Sequence, residues 1–439
     1  MTTHTASPDH ARVPLAPLTV EETGLSQDVL EQLVLKVLHM SGEQTASSLS
    51  RRLGLLHSVL EPILQHLKHS YLCDVRGGAS LGGPSYVYRI TDAGRARAML
   101  ALEQSQYVGT APVPFAQYAD YMHAFMARAA RTVTRETVDR AFEHLVLSRR
   151  VLDQLGPAVN GGHSLFVYGP PGNGKTVISQ GIARLLTGEV AIPQAIDFEG
   201  HLVQVFDPAV HVPIAISPDE PLDRGAPATD ARWIRCARPL VMVGGELTLQ
   251  SLELAFNSGS RLYQAPIQLL ANGGVLVIDD FGRQRCSVVD LLNRWILPLE
   301  SRTDYLTVQS GQKMPVPFAV LVVFATNIKP TDLVDEAFLR RIHYKVFAEN
   351  PTALDFARIF ERCCHERGLP YDALLVDRLI AEFFRRRGIA LRGCHPRDLI
   401  DHALAIADYL GAPRVLTYER LLDACTSYFL DEQAAGGPA

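Results

Sequence analysis

Eight consecutive residues, Gly169-Pro170-Pro171-Gly172-Asn173-Gly174-Lys175-Thr176, fit GxxxxGK[ST] at every fixed position. An apolar strand, Leu165–Tyr168, precedes them, and Val177, Ile178, Ile182 and Leu185 follow at helical spacing. Strand, glycine loop and helix together make the motif specific. Glycines let the backbone wrap an anion, and its N–H groups converge at a helix N-terminus. Lys175 can then reach β- and γ-phosphates, and Thr176 can ligate magnesium. The eight loop residues and Val177 form the candidate nucleotide-binding set. Triphosphate chemistry also needs acid at a strand end. The run Val275–Ile278 leads directly into Asp279 and Asp280. Four apolar residues predict a buried parallel strand. Asp279 is the candidate Mg²⁺ residue with Thr176, and Asp280 the candidate base that polarises water.

Two further segments fit the same chemistry. The apolar run 320–325 ends in Thr326-Asn327, and Asn327 can orient a water near the γ-phosphate. Residues 337–342 contain Arg340 and Arg341. Either can reach the nucleotide of a neighbouring subunit, a device generally worth ~10³–10⁵ in rate.

With these motifs in this order, the chain resembles the AAA+ ATPases over about residues 135–430. The loop is similar to Walker A, VLVIDD to Walker B, Thr326-Asn327 to sensor 1, and 338–342 to the arginine-finger segment. Arg397, in His395-Pro396-Arg397-Asp398-Leu399, stands where the resemblance implies a sensor 2 arginine. Within the superfamily the chain resembles MoxR-like members with a hairpin before sensor 1. Residues 304–317 read as that hairpin, with Ser310-Gly311 as its turn. The resemblance implies an α/β fold: a P-loop parallel-sheet nucleotide domain with a C-terminal helical lid. It also implies ATP and Mg²⁺ as cofactors, hydrolysis, a homo-oligomeric ring of six, and a protein client remodelled in a chaperone-like way.

Two departures bear on that reading. The second Walker B acid is usually Glu, whereas here it is Asp280, one methylene shorter. In addition, 104 residues separate Lys175 from Asp279, more than helix–strand–helix requires. The excess falls in 192–238, proline-rich and alternating, which reads as a β-rich insertion that either contacts a partner or decorates the surface. Residues 249–257 read as a helix. Tyr263 is a candidate pore residue or a core residue. Arg283 and Arg285 are further candidates for action across an interface.

The remaining chain must position this machinery. Residues 1–25 read as a flexible leader. From Ser26 a helix carries Val29, Leu30, Leu33, Val34, Val37 and Leu38 on one face. Helices over 46–53 and 58–69 follow, with Pro62 expected in a first turn. A hairpin turning at Gly77-Gly78 and Gly82-Gly83-Pro84 leads to strand 86–90 and a helix to about 106. Three helices, a hairpin and a helix are the order of a winged helix (α+β), placed at 26–106. Residues 107–134 read as a linker, 134–155 as one helix, 135–349 as the nucleotide domain, 350–432 as the lid, and 433–439 as a disordered tail. Asn350-Pro351 is expected to open the first lid helix.

Lys plus Arg is 42 and Asp plus Glu 47, a net charge of −5, so bulk polyanion binding is excluded. Residues 45–105 carry a local net of +3, but the third helix offers only Lys68 and histidines. That is thin for phosphate neutralisation. A protein-docking role is therefore preferred, with DNA binding through the winged helix as the alternative. Seven cysteines without CxxC spacing fit a reduced chain rather than a disulfide framework. No secretory signal and no membrane span is visible. A cytoplasmic protein is the expectation.

Overall fold

The computed structural model describes residues 13–76, 86–128, 133–162, 164–215, 228–333 and 336–429. The glycines expected to turn the first hairpin, residues 1–12 of the leader, part of the insertion and the C-terminal tail lie outside these. The chain divides into two compact units. One comprises Met1–Ala130, Leu186–Leu276 and Arg285–Leu321; the other comprises Arg131–Leu185, Val277–Gln284 and Val322–Ala439. Among the described residues no helix is long and apolar enough to cross a membrane.

The first unit opens with helices Gln27–Ser41, Ala46–Leu53 and His57–His69. The hydroxyls of Ser26 and Thr45 cap the first two, and Gly54 ends the second at φ +66°. Leu30, Leu33, Val34, Val37 and Leu38 are all buried, as their spacing predicts. Pro62 is the correction here. The third helix starts at His57, so Pro62 sits in its second turn, beyond the tolerated first-turn position. Burial of Val59, Leu60, Ile63, Leu64 and Leu67 offsets the missing hydrogen bond. Strands Gln44–Thr45, Val87–Ile90 and Cys73–Arg76 form an antiparallel sheet in that spatial order, and helix Asp92–Gln104 follows, capped by Thr91.

Within the span read as a linker, helix Phe115–Arg128 buries Tyr118, Met122 and Phe125. A five-stranded sheet runs Ala255–Asn257, Leu262–Gln264, His201–Gln204, Ala195–Phe198, Val113–Pro114. Glu189–Pro193 pairs antiparallel with Trp233–Ala237. Residues 249–257 do not form the expected helix. Leu249–Leu252 is a single 3₁₀ turn, and Ala255–Asn257 pairs antiparallel with Leu262–Gln264. A strand partner a few residues downstream outcompetes a weak helical period. Tyr263 resolves to the core alternative: it is 2% exposed, packs on Phe256 at 4.9 Å, and its hydroxyl accepts the Gln309 N–H at 2.9 Å. The hairpin Thr303–Thr307/Lys313–Pro317 is present, with Gly311 at φ +86° in its turn. A buried ion pair, Arg232–Asp230 at 2.8 Å, anchors the unit. Arg232 also donates to the Thr23 carbonyl at 3.0 Å and to Gln117 Oε1 at 3.1 Å, so its remaining donors are satisfied, as a buried charge requires.

Four neighbouring strands of a five-stranded sheet run Val275–Ile278, Leu321–Thr326, Leu165–Tyr168, Tyr344–Phe347, the last three parallel. Leu165–Val167 and all of Leu321–Thr326 are buried, as a parallel sheet covered on both faces demands. The single helix expected over 134–155 is two helices, Arg135–Phe142 and Arg149–Gly161. Ser148 caps the second, and the break frees residues 143–147 to form a loop. The C-terminal region is helical: Ala353–Glu366, Ala373–Leu379 running on as a π turn over Ile380–Arg385, His395–Tyr409 and Tyr418–Tyr428. Thr352, not Asn350-Pro351, caps the first of these; its hydroxyl accepts the Asp355 N–H at 3.1 Å.

Candidate nucleotide site

The loop begins where the strand Leu165–Tyr168 ends and closes at helix Lys175–Leu185. Gly169, Gly172 and Gly174 have φ of +148°, +80° and +72°, backbone that L side chains avoid. A Cβ at Gly169 would collide with the Ala348 carbonyl, and one at Gly172 would meet Cys394 Sγ at 2.5 Å. The N–H of Gly169 donates to the Thr326 carbonyl, so the loop is registered against the neighbouring strand at its first residue.

Lys175 Nζ donates to the Pro170 carbonyl at 2.8 Å. Burial pulls its ammonium below the ordinary lysine range, and the Asp280 and Asp279 carboxylates oppose that shift. Thr176 Oγ1 donates to Asp279 Oδ2 at 2.8 Å. Asn327 Nδ2 donates to Asp280 Oδ1 at 3.1 Å. The Asp280 N–H donates to Asp279 Oδ1 at 3.0 Å, and Asp280 stands at φ +47°. Phe281, fully buried, locks this turn into the core: its N–H donates to the Ala325 carbonyl and its own carbonyl accepts Thr326 Oγ1, each at 2.7 Å.

A cavity of about 530 Å³ runs along the loop, lined by Pro171–Val177 and by Asp279, Asp280, Asn327 and Arg397. Gly169 and Pro170 shape the loop without lining the cavity. Arg397 pairs with Asp398 at 2.9 Å. Arg340 and Arg341 do not line the cavity; Arg340 is exposed. The loop freed at 143–147 supplies His144, Val146 and Leu147, and helix Ala353–Glu366 supplies Ile359 and Arg362. Val146, Leu147 and Ile359 make an apolar wall of the kind a nucleobase packs against. Sequence reasoning missed these residues, because they belong to no motif and converge only in space. It also missed the tie between the loop and the helical region. Asn173 donates to Asn350 Oδ1 at 2.7 Å and accepts the Gly393 N–H at 3.1 Å, while the Cys394 N–H donates to the Gly172 carbonyl at 2.8 Å.

The site's chemistry fits a nucleotide with a divalent cation. Thr176 and Asp279 offer hard oxygen donors 2.8 Å apart, suited to Mg²⁺. The glycine cradle and the Lys175 ammonium suit polyphosphate.

Two family matches fall on this unit or begin in it. The family described as Magnesium chelatase, subunit ChlI, matches residues 147–198, which include the whole phosphate loop. A domain of unknown function, DUF8689, matches 352–427, the helical region. No curated protein matches the chain. Among solved structures, a RuvB mutant from Thermotoga maritima is 15% identical, over 69% of this chain and 72% of that one, with a TM-score of 0.36. The Thermotoga maritima RuvB Holliday junction branch migration motor is 16% identical, over 67% and 79%, at 0.38. NtrX from Brucella abortus is 14% identical, over 68% and 60%, at 0.41. The fold is α/β, with parallel strands beside the glycine loop and a helical C-terminal region. The ChlI match over the loop supports the AAA+ superfamily.

Proposed function

We propose that this chain is a Mg²⁺-dependent AAA+ ATPase that hydrolyses ATP to remodel or assemble a protein partner. One observation carries the reading. Two polar pairs, Thr176–Asp279 and Asn327–Asp280, meet beside the phosphate loop in one cavity. They provide a metal-holding pair and a base with its orienting amide. Thr176 and Asp279 would hold Mg²⁺, which when bound neutralises charge on the phosphate oxygens. Lys175 faces the same charge, Asp280 takes the proton of the attacking water, and Asn327 fixes the Asp280 carboxylate. Arg397 reaches the cavity from the helical region. The test is Asp280→Asn. It should bind ATP as the unaltered chain does and lose turnover; unchanged turnover rules out the base role.

Assembly belongs to this proposal. Arg340 and Arg341 stand outside the cavity of their own chain, which is where a residue completing a neighbour's site would stand. We read the active form as a homo-oligomeric ring, MoxR-like in its hairpin before sensor 1. Gel filtration under saturating ATP should show a large assembly, and a fully active monomer would rule this out. Residues 26–106 are read as a winged helix, supported by their order of helices and antiparallel strands. Its third helix exposes one lysine, Lys68, and the exposed His66 is taken up by Glu31 at 2.6 Å. That favours a protein partner. Tight, salt-dependent DNA binding by the full chain would favour the DNA-directed alternative.

A further inference from the structure

The acid pair sits on a tight turn that the Arg283 N–H closes by donating to the Asp280 carbonyl at 3.0 Å, and one side chain braces it further. Asp280 has φ +47°, left-handed backbone that an L residue adopts only where its surroundings hold it there. Its carboxylate is fixed by Asn327. Its backbone is braced by a residue that does not itself line the cavity. Gln284 Nε2 donates to the Asp279 carbonyl at 3.0 Å and to the Asp280 carbonyl at 3.2 Å, and Gln284 Oε1 accepts the Gly282 N–H at 2.8 Å. One carboxamide thus closes the turn 279–284 from inside, using donors and acceptor together. Among the common side chains of this length only glutamine offers both; glutamate has no donor and methionine only a weak acceptor.

We infer that Gln284 is a positioning residue for the acid pair: it holds Asp280 in the left-handed conformation from which a carboxylate one methylene short of glutamate meets Asn327 and faces the loop. This rests on the ATPase reading above. Gln284 does not line the cavity, so its effect on turnover runs through Asp280. The shorter acid makes the turn matter more, since a short side chain has less freedom to recover a displaced position.

The experiment compares Gln284→Ala and Gln284→Glu in the full chain. Gln284→Glu retains the acceptor for Gly282 and loses both donors. Both variants should lower kcat about 10–100-fold, the scale of a ~1 Å misplacement. KM for ATP should stay within about threefold and the thermal midpoint near its original value. In an Asp280→Asn background, Gln284→Ala should cause no further fall, because the two residues act as one unit. An unchanged kcat, a joint shift of kcat and KM with the midpoint, or an equal fall in the Asp280→Asn background overturns the inference. Amide exchange supplies a readout independent of turnover. Gln284→Ala should deprotect the Gly282 amide while Gln284→Glu leaves it protected. Equal Gly282 protection in the unaltered chain and Gln284→Ala overturns the inference. Absence of hydrolysis in the unaltered chain, with that exchange pattern present, defeats the ATPase reading alone.

Discussion

Thr176 Oγ1 and Asp279 Oδ2 lie 2.8 Å apart although 103 positions separate them in the chain. The loop hydroxyl and the strand-end carboxylate belong to segments that each follow the carboxyl end of a strand of one sheet, Leu165–Tyr168 and Val275–Ile278. Ligands in α/β sheets gather at that carboxyl edge.

The pair predicts the behaviour of Thr176→Val. Removing the hydroxyl leaves the shape and deletes one oxygen donor. Turnover should fall about 100-fold and the Mg²⁺ concentration for half-maximal rate should rise. Loss of a single partly exposed hydrogen bond should cost only about 1 kcal/mol of stability. A magnesium titration of the ATPase rate, with a denaturant curve beside it, checks both.

Arg397 should separate activity from stability. Its pairing with Asp398 is exposed, and such pairs add little to folding. Arg397→Ala should therefore leave the melting temperature in place and lower turnover at saturating ATP. A melting scan and a rate measurement on the same preparation decide it.

Close packing between two helices predicts a steric effect. A Cβ at Gly181, in helix Lys175–Leu185, would run into the Phe142 ring. Gly181→Ala should destabilise the chain by about 1–3 kcal/mol, the usual cost of overpacking. A urea unfolding curve measures it. In an open helix the same change would stabilise, so the sign is diagnostic.

Lys36 gives a pH prediction. It is buried, its Nζ donates to the Ser105 carbonyl at 2.6 Å, and burial lowers its pKa to about 8 from 10.5. Between those values the unfolded chain binds the proton that the folded chain has released. Stability therefore rises with pH across this window. Below about 8 both states are protonated and the burial penalty is fully present. Lys36→Met should flatten the rise between pH 8 and 10 in thermal melts.

The phosphate loop, both acids and Asn327 were legible because each rests on local chemistry: fixed glycines, a four-residue apolar strand, a polar residue at a strand end. The failures share one cause. Residues 249–257 read as helical, but a strand partner decided their state. Residues 134–155 read as one helix, but Ser148 restarts it, and the resulting loop builds part of the site. Pro62 reads as a first-turn proline, but the helix begins at His57 and carries it into the second turn.

Which residues can handle a phosphate, and the order in which they come, is written in the chain, since backbone freedom at glycine and the charge of Lys175 are properties of residue type. Which side chains stand behind them depends on how distant segments pack. Gln284 beneath the acid pair, Asn173 bonded to Gly393, and the apolar wall of Val146, Leu147 and Ile359 arise from contacts between distant segments. Such contacts are selected by the packing of the whole unit and leave no periodicity or spacing in the chain to read.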